Sequence, residues 1–171
     1  MAASLAKNHG CYVASTSRSE SARSLILSSG SDAFIHDTGS IAATLKSPSE
    51  KFNKVLELIG VTTLVDSLHC CTGGGGPDKP LGVVCMTGIA GGKWTVDSFY
   101  PMMDVPNGVG LTTYSGGGEE MKMVPFNEIV KDVEKGKLKV VVGKTFKLKD
   151  VIEGHTLMEK GGAGGKMVLL M

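Results

Sequence analysis

Short apolar runs alternate along the chain with segments whose apolar residues recur at helical spacing. Met1–Asn8 opens as a short helix closed near Gly10. Cys11–Ala14 and Ala33–His36 read as strands. Between them Ser17 and Glu20 fit a capping box, in which each side chain bonds the other residue's orphan N–H. Ala22, Leu25 and Ile26 continue it at i, i+3 and i+4, and Gly30 offers a left-handed stop. Ser47-Pro48-Ser49-Glu50 is the clearest helix start, with Ser47 as cap, Pro48 first and Glu50 third. Phe52, Val55, Leu56 and Ile59 then repeat with helical period up to Gly60, which predicts a helix. The β-branched run Val61–Asp66 predicts a strand. Leu81–Thr87 is nearly all apolar, as in a strand buried on both faces of a parallel sheet, and Val109–Tyr114 reads as another strand. Phe126, Ile129, Val130 and Val133 mark a helix ending at Gly136. Strands at Leu138–Val142 and Thr145–Leu148, a helix near Asp150–Lys160 and a strand at Lys166–Leu170 complete the chain.

Strands alternating with helices predict an α/β fold around a parallel sheet. The 171 residues suffice for one domain of about 150 residues. With 42% hydrophobic and 20% charged residues, the chain is too apolar to be disordered. The net charge of +1 excludes the strong field of a nucleic-acid binder or a polybasic membrane binder. The 24 glycines lack a collagen period and point to turns or to backbone kept bare for a ligand. Gly73–Gly76, Gly116–Gly118 and Gly161–Gly165 read as loops. The polar start MAASLAKNHG is no secretory signal, and no run of about 18 apolar residues could span a membrane. With four cysteines, the expectation is a reduced, cytoplasmic setting.

Most local motifs fail on spacing. A phosphate loop of the G-x4-G-K-S/T type needs glycine where Gly143-Lys144-Thr145 has Leu138 and where Gly92-Lys93 has Thr87. Gly108-Val109-Gly110 lacks the third glycine of G-x-G-x-x-G, since Thr113 occupies that place. His69-Cys70-Cys71 has no second ligand pair at zinc spacing, so no metal is expected. His9, His36, His69 and His155 are scattered, without the signature of a nucleophile and its base. Lysines from Lys135 to Lys149 mostly alternate with apolar residues, as on the solvated face of a strand pair.

Ser15-Thr16-Ser17-Arg18 carries more information, between a strand and a helix start. In a doubly wound fold the end of the second strand meets the adenosine ribose, where an acid would select NAD. No acid precedes Glu20, whereas hydroxyls and Arg18 suit a 2′-phosphate, and Arg23 offers a second cation.

The segments VASTSRSESARSLILSSGSDAFIHD, KVLELIGVTTLVDSL, VVCMTGIAGG, GLTTYSGG and VGKTFKLKDVIEGHTLMEKGGAGGKMVLL occur in one order over most of the chain. Together they resemble the quinone-oxidoreductase-like branch of the medium-chain dehydrogenase/reductase superfamily, and specifically its C-terminal nucleotide-binding portion. The resemblance implies a Rossmann-like parallel sheet lacking its first strand over residues 1–137. It also implies a small β-β-α-β segment over 138–171 that would rejoin a catalytic domain. The family's first strand, its Gly-rich turn and that catalytic domain would precede Met1. Cofactor contacts implied for NADPH are Thr16, Ser17 and Arg18 at the 2′-phosphate, and Asp66, Ser67, Thr87, Gly88 and Ile89 at strand ends near the nicotinamide. Thr112 and Thr113 lie in the strand Val109–Tyr114, which in such proteins often pairs with its twin in a homodimer. The implied function is NADPH-dependent quinone reduction, weak or absent in this portion alone. The alternatives are a non-catalytic interaction module and a truncated product without independent role. No catalytic residue is assigned.

Overall fold

A computed structural model describes residues 1–74, 80–161 and 163–171. The expected loops Gly73–Gly76 and Gly161–Gly165 therefore lie partly outside the described residues. The chain forms two compact units, one of residues 1–36 and 125–171, the other of residues 37–124.

In the first unit, α1 (Ala2–Asn8) is followed by β1 (Ala14–Ser17), α2 (Arg23–Ser28) and β2 (Ala33–His36). β1 and β2 pair in parallel with Ser17 opposite His36. The helix α1 is pinned beside β2 by Asp32, whose carboxylate pairs with Lys7 and accepts the Val13 N–H at 2.8 Å. Those two donors hold the Asp32 carboxyl below its ordinary range, Lys7 acting most strongly. The buried Ser4 hydroxyl adds a 2.6 Å bond to the Ser29 carbonyl.

The same unit contains α6 (Phe126–Glu134), β6 (Val142–Lys147), α7 (Val151–Glu159) and β7 (Lys166–Leu170). The two strands expected at 138–148 are one strand, β6, paired in parallel with β7. Its register shifts between Val142 and Lys144, and a Cβ on Gly143 would stand 1.9 Å from the Ala163 carbonyl oxygen. Glycine is needed there because the backbones meet. Of the residues in β6 only Phe146 is buried, against Gly154 of α7; Lys144 and Lys147 are exposed, but strand alternation puts them on opposite faces and not on the one solvated face expected.

The second unit holds β3 (Lys54–Glu57), α3 (Val61–His69), β4 (Gly82–Met86), α4 (Pro101–Asp104), β5 (Val109–Thr113) and α5 (Gly118–Lys122). β3, β4 and β5 form a parallel sheet in that order. Pairing and alternation put Val55, Val84, Met86 and Val109 on one face. That face packs on Leu64 and Leu68 of α3, together with Cys71, Phe99 and Val105.

Two expectations around Gly60 are reversed. The helix expected over 47–59 is a single 3-10 turn, Pro48–Glu50, followed by strand β3. Glu50 does reach back to the Ser47 N–H at 3.2 Å, so the start signal is real. The chain then leaves the helix because Lys54–Glu57 is captured by the ladder to Val83–Met86, which no local pattern could announce. The strand expected at Val61–Asp66 is the first part of α3. Val61, Leu64, Val65 and Leu68 have helical spacing, and burial of Leu64 and Leu68 outweighs the β-branched composition. A smaller shift moves β1 from Cys11–Ala14 to Ala14–Ser17, which puts Thr16 and Ser17 inside the strand.

Each of these sheets is wholly parallel and its strands alternate with helices, as in a Rossmann-like fold. Leu68 is fully buried in the centre of the second unit. Leu68→Ala should cost about 2–5 kcal/mol of unfolding free energy by urea denaturation. An unchanged midpoint would show that α3 does not hold the sheet.

Candidate functional site

The end of β1 is built by hydroxyls and one cation. Thr16 and Arg18 are exposed and Ser17 is half-buried. The Ser17 hydroxyl accepts the Ser19 N–H at 3.1 Å, so it turns the chain after the strand instead of capping a helix at Glu20. Ser15 shares a 2.7 Å bond with the Ser31 hydroxyl. Among the described residues Arg18 makes no ion pair, and its guanidinium is open to solvent. Arg23, expected as a second cation, is not open: its Nε donates to Glu20, and the guanidinium lies 4.5 Å from the centre of the Phe34 ring. That bond, more than any other contact, holds the Glu20 carboxyl below its ordinary range. His36 Nδ1 sits 3.7 Å from the other Glu20 oxygen.

In the second unit, Glu57 ends β3 and is buried. One carboxylate oxygen accepts the N–H groups of Ile59 and Gly60 at 2.6 and 3.0 Å. The other accepts the hydroxyls of Thr63 and Ser67 at 3.1 and 2.5 Å. This carboxylate therefore shapes the turn into α3. The next strand end is locked against that turn. Ala90 and Gly91 donate to the carbonyls of Leu58 and Ile59 at 3.1 and 2.8 Å. A Cβ on Gly88 would stand 2.3 Å from the Leu58 carbonyl oxygen. Thr87, Gly88 and Ile89, expected to end this strand, follow its last residue Met86 and present a tightly apposed backbone.

Asp66 and Ser67 do not end a strand; they lie inside α3. Asp66 accepts the Ser40 hydroxyl and the Ile41 N–H, both at 2.7 Å, and holds the 40–42 segment to the helix. Ser67 is bound to Glu57. Thr112 and Thr113 are exposed on β5, whose outer edge has no strand among the described residues. The sequence reading missed Glu57 and passed over His36. An acid in the apolar run before Gly60 was the available signal for Glu57; for His36 it was its place as the last residue of a strand.

Cys70 and Cys71 are buried. Burial above all, with the nearby Asp66 charge, pushes the Cys70 thiol up to about 12. Burial also raises Cys71, whose thiol faces the Asn53 carbonyl at 3.6 Å. Among the described residues no three His, Cys, Asp or Glu side chains converge on a point where an ion could sit. No helix among them is long and apolar enough to cross a membrane.

A zinc-binding dehydrogenase family model matches residues 29–169, and the chain belongs to that family. Zinc belongs to the description of that family; the described residues bring no group of three such ligands together. Among curated proteins, none matches the sequence significantly. Solved structures share the fold. A mycobacterial protein complexed with NADPH is 21% identical with a TM-score of 0.76, over 99% of this chain and 52% of its own. A quinone oxidoreductase of Pseudomonas syringae pv. tomato DC3000 is 20% identical with a TM-score of 0.76, over 99% and 52%. An alcohol dehydrogenase of the hyperthermophilic archaeon Aeropyrum pernix is 18% identical with a TM-score of 0.74, over 99% and 46%. The chain spans about half the length of these structures.

Thiol reactivity checks the site's chemistry. Ellman's reagent should modify the exposed Cys11 quickly and reach Cys70 and Cys71 only in denaturant. Rapid modification of Cys70 in the native protein would contradict the burial. A second check is Glu57→Gln, which turns one acceptor oxygen into an amide donor facing hydroxyl or N–H groups. It should cost about 1.5–3 kcal/mol of unfolding free energy.

Proposed function

We propose that the chain is the nucleotide-binding portion of an NADPH-dependent oxidoreductase of the quinone-reductase type. Arg18 carries the reading. Its side chain is exposed, follows Thr16 and Ser17 directly in sequence and has no carboxylate partner among the described residues. Glu20, the acid that could have favoured an unphosphorylated ribose, is occupied by Arg23 and His36. An Arg–phosphate contact is charge-assisted, and short hydroxyls can bond the remaining phosphate oxygens. The NADPH carried by a solved protein of the same fold supports the choice of ligand.

The cofactor, when bound, supplies the hydride, and the protein supplies binding and orientation. Thr16, Ser17 and Arg18 would hold the 2′-phosphate. In the other unit, Thr87, Gly88 and Ile89 would serve the nicotinamide end through their backbone, since Gly88 leaves no room for a side chain. Asp66 and Ser67 would act there only by holding α3 and its neighbours in place. The unpaired, buried Cys70 and Cys71 accord with a reducing, cytoplasmic setting.

A second reading, a homodimerisation module, is favoured by β5. Leu111 and Tyr114 are 41% and 52% exposed, and Thr112 and Thr113 lie between them on an edge strand. Such an edge is a template for another strand.

NADPH fluorescence titration tests the first reading. The wild-type chain should bind NADPH more tightly than NADH, and Arg18→Glu should erase the difference. Equal affinity of the wild type for both nucleotides would overturn the assignment. Catalysis gives a separate check. The 171-residue chain contains no G-x-G-x-x-G turn to seat the pyrophosphate. Alone it should oxidise NADPH with small quinones no faster than background at 340 nm. Turnover comparable with that of a fusion to a complete N-terminal half would show that this portion already suffices.

A further inference from the structure

We infer that His36 is a positioning residue for Arg18 and thereby sets the preference for a 2′-phosphorylated nucleotide, an inference that rests on the reading of Thr16–Arg18 above. His36 is the last residue of β2 and stands opposite Ser17 in the parallel register. Its ring Nε2 lies 3.1 Å from the Arg18 carbonyl oxygen, which accepts the bond. Among the described residues no other donor reaches that carbonyl, because the strand ladder has ended one residue earlier. The imidazole is therefore what ties down the peptide from which the Arg18 side chain springs.

The ring is itself held on two sides. It stacks on Phe34, with centroids 6.5 Å apart and planes 20° from parallel. Its Nδ1 lies 3.7 Å from Glu20. Arg23 closes the cluster by donating to Glu20 and lying over the Phe34 ring. The charged groups around the imidazole are thus Glu20, Arg23 and the Arg18 backbone's own side chain.

One consequence follows for a bound phosphate. The Arg18 base is fixed, so less ordering is needed when its guanidinium meets an anion. Losing that tie weakens a nucleotide that carries the 2′-phosphate and leaves one that lacks it untouched.

The test compares NADPH and NADH titrations of the full chain for the wild type, His36→Leu, His36→Gln and Arg18→Glu. Leucine removes the N–H, whereas glutamine keeps an amide N–H at the reach of Nε2. His36→Leu should weaken NADPH about fivefold, the worth of one net hydrogen bond, and leave NADH unchanged. His36→Gln should restore most of the NADPH affinity. Equal losses for both nucleotides, or no recovery with glutamine, would reduce His36 to a structural residue and overturn the inference. If Arg18→Glu abolishes the preference while His36→Leu leaves it intact, the inference fails and the reading of Arg18 stands. A wild type without preference, or without binding, overturns that reading and this inference together.

Discussion

The buried carboxylate of Glu57 is the interaction on which the second unit depends. A carboxylate taken out of water costs several kcal/mol unless its lone pairs are matched by donors. Here two backbone N–H groups and two hydroxyls match them, all from the turn after β3 and the first turns of α3. The bonds fix the direction in which the chain leaves the strand. That direction lays Leu64 and Leu68 over Val84 and Val109. It also sets the Leu58 and Ile59 carbonyls to receive Ala90 and Gly91. One side chain thus couples helix packing to the backbone at the end of β4.

The first unit solves a different electrostatic problem. The end of β1 gathers Arg18, Glu20, Arg23 and, from β2, His36 within a short stretch of exposed surface. In water such charges pair weakly, and geometry decides which of them pair at all. Phe34 supplies that geometry, as a platform for both the imidazole and the Arg23 guanidinium. Glu20 is drawn toward that platform and away from Arg18. Arg18 is the cation left at the strand end without a carboxylate partner among the described residues.

All three sheets end on strands whose outer edges have no partner among the described residues. A two-stranded sheet such as β1-β2 is marginal without further support, and α1 and Asp32 provide part of it. β5 is such an edge strand, with Leu111 exposed on it and Tyr114 exposed just after it, where a monomeric sheet would ordinarily carry charge.

The sequence by itself determined the class of fold, because alternating apolar runs and helical stripes with glycine stops are a local property of the chain. It also located β2, β4, β5, α6, α7 and β7, whose patterns agree with their surroundings. The hydroxyl and Arg cluster was legible for the same reason, as chemistry concentrated in consecutive residues. What only the tertiary structure decided lay around Gly60. There Lys54–Glu57 fits a helical period yet becomes a strand because β4 pairs with it, and Val61–His69 looks β-branched yet becomes a helix because Leu64 and Leu68 find a core. The separation of Arg18 from Arg23 was likewise undecidable along the chain. It depends on Phe34 and His36, which reach Arg23 and Glu20 only after two strands have paired, and contacts between residues far apart in sequence leave no mark on local spacing.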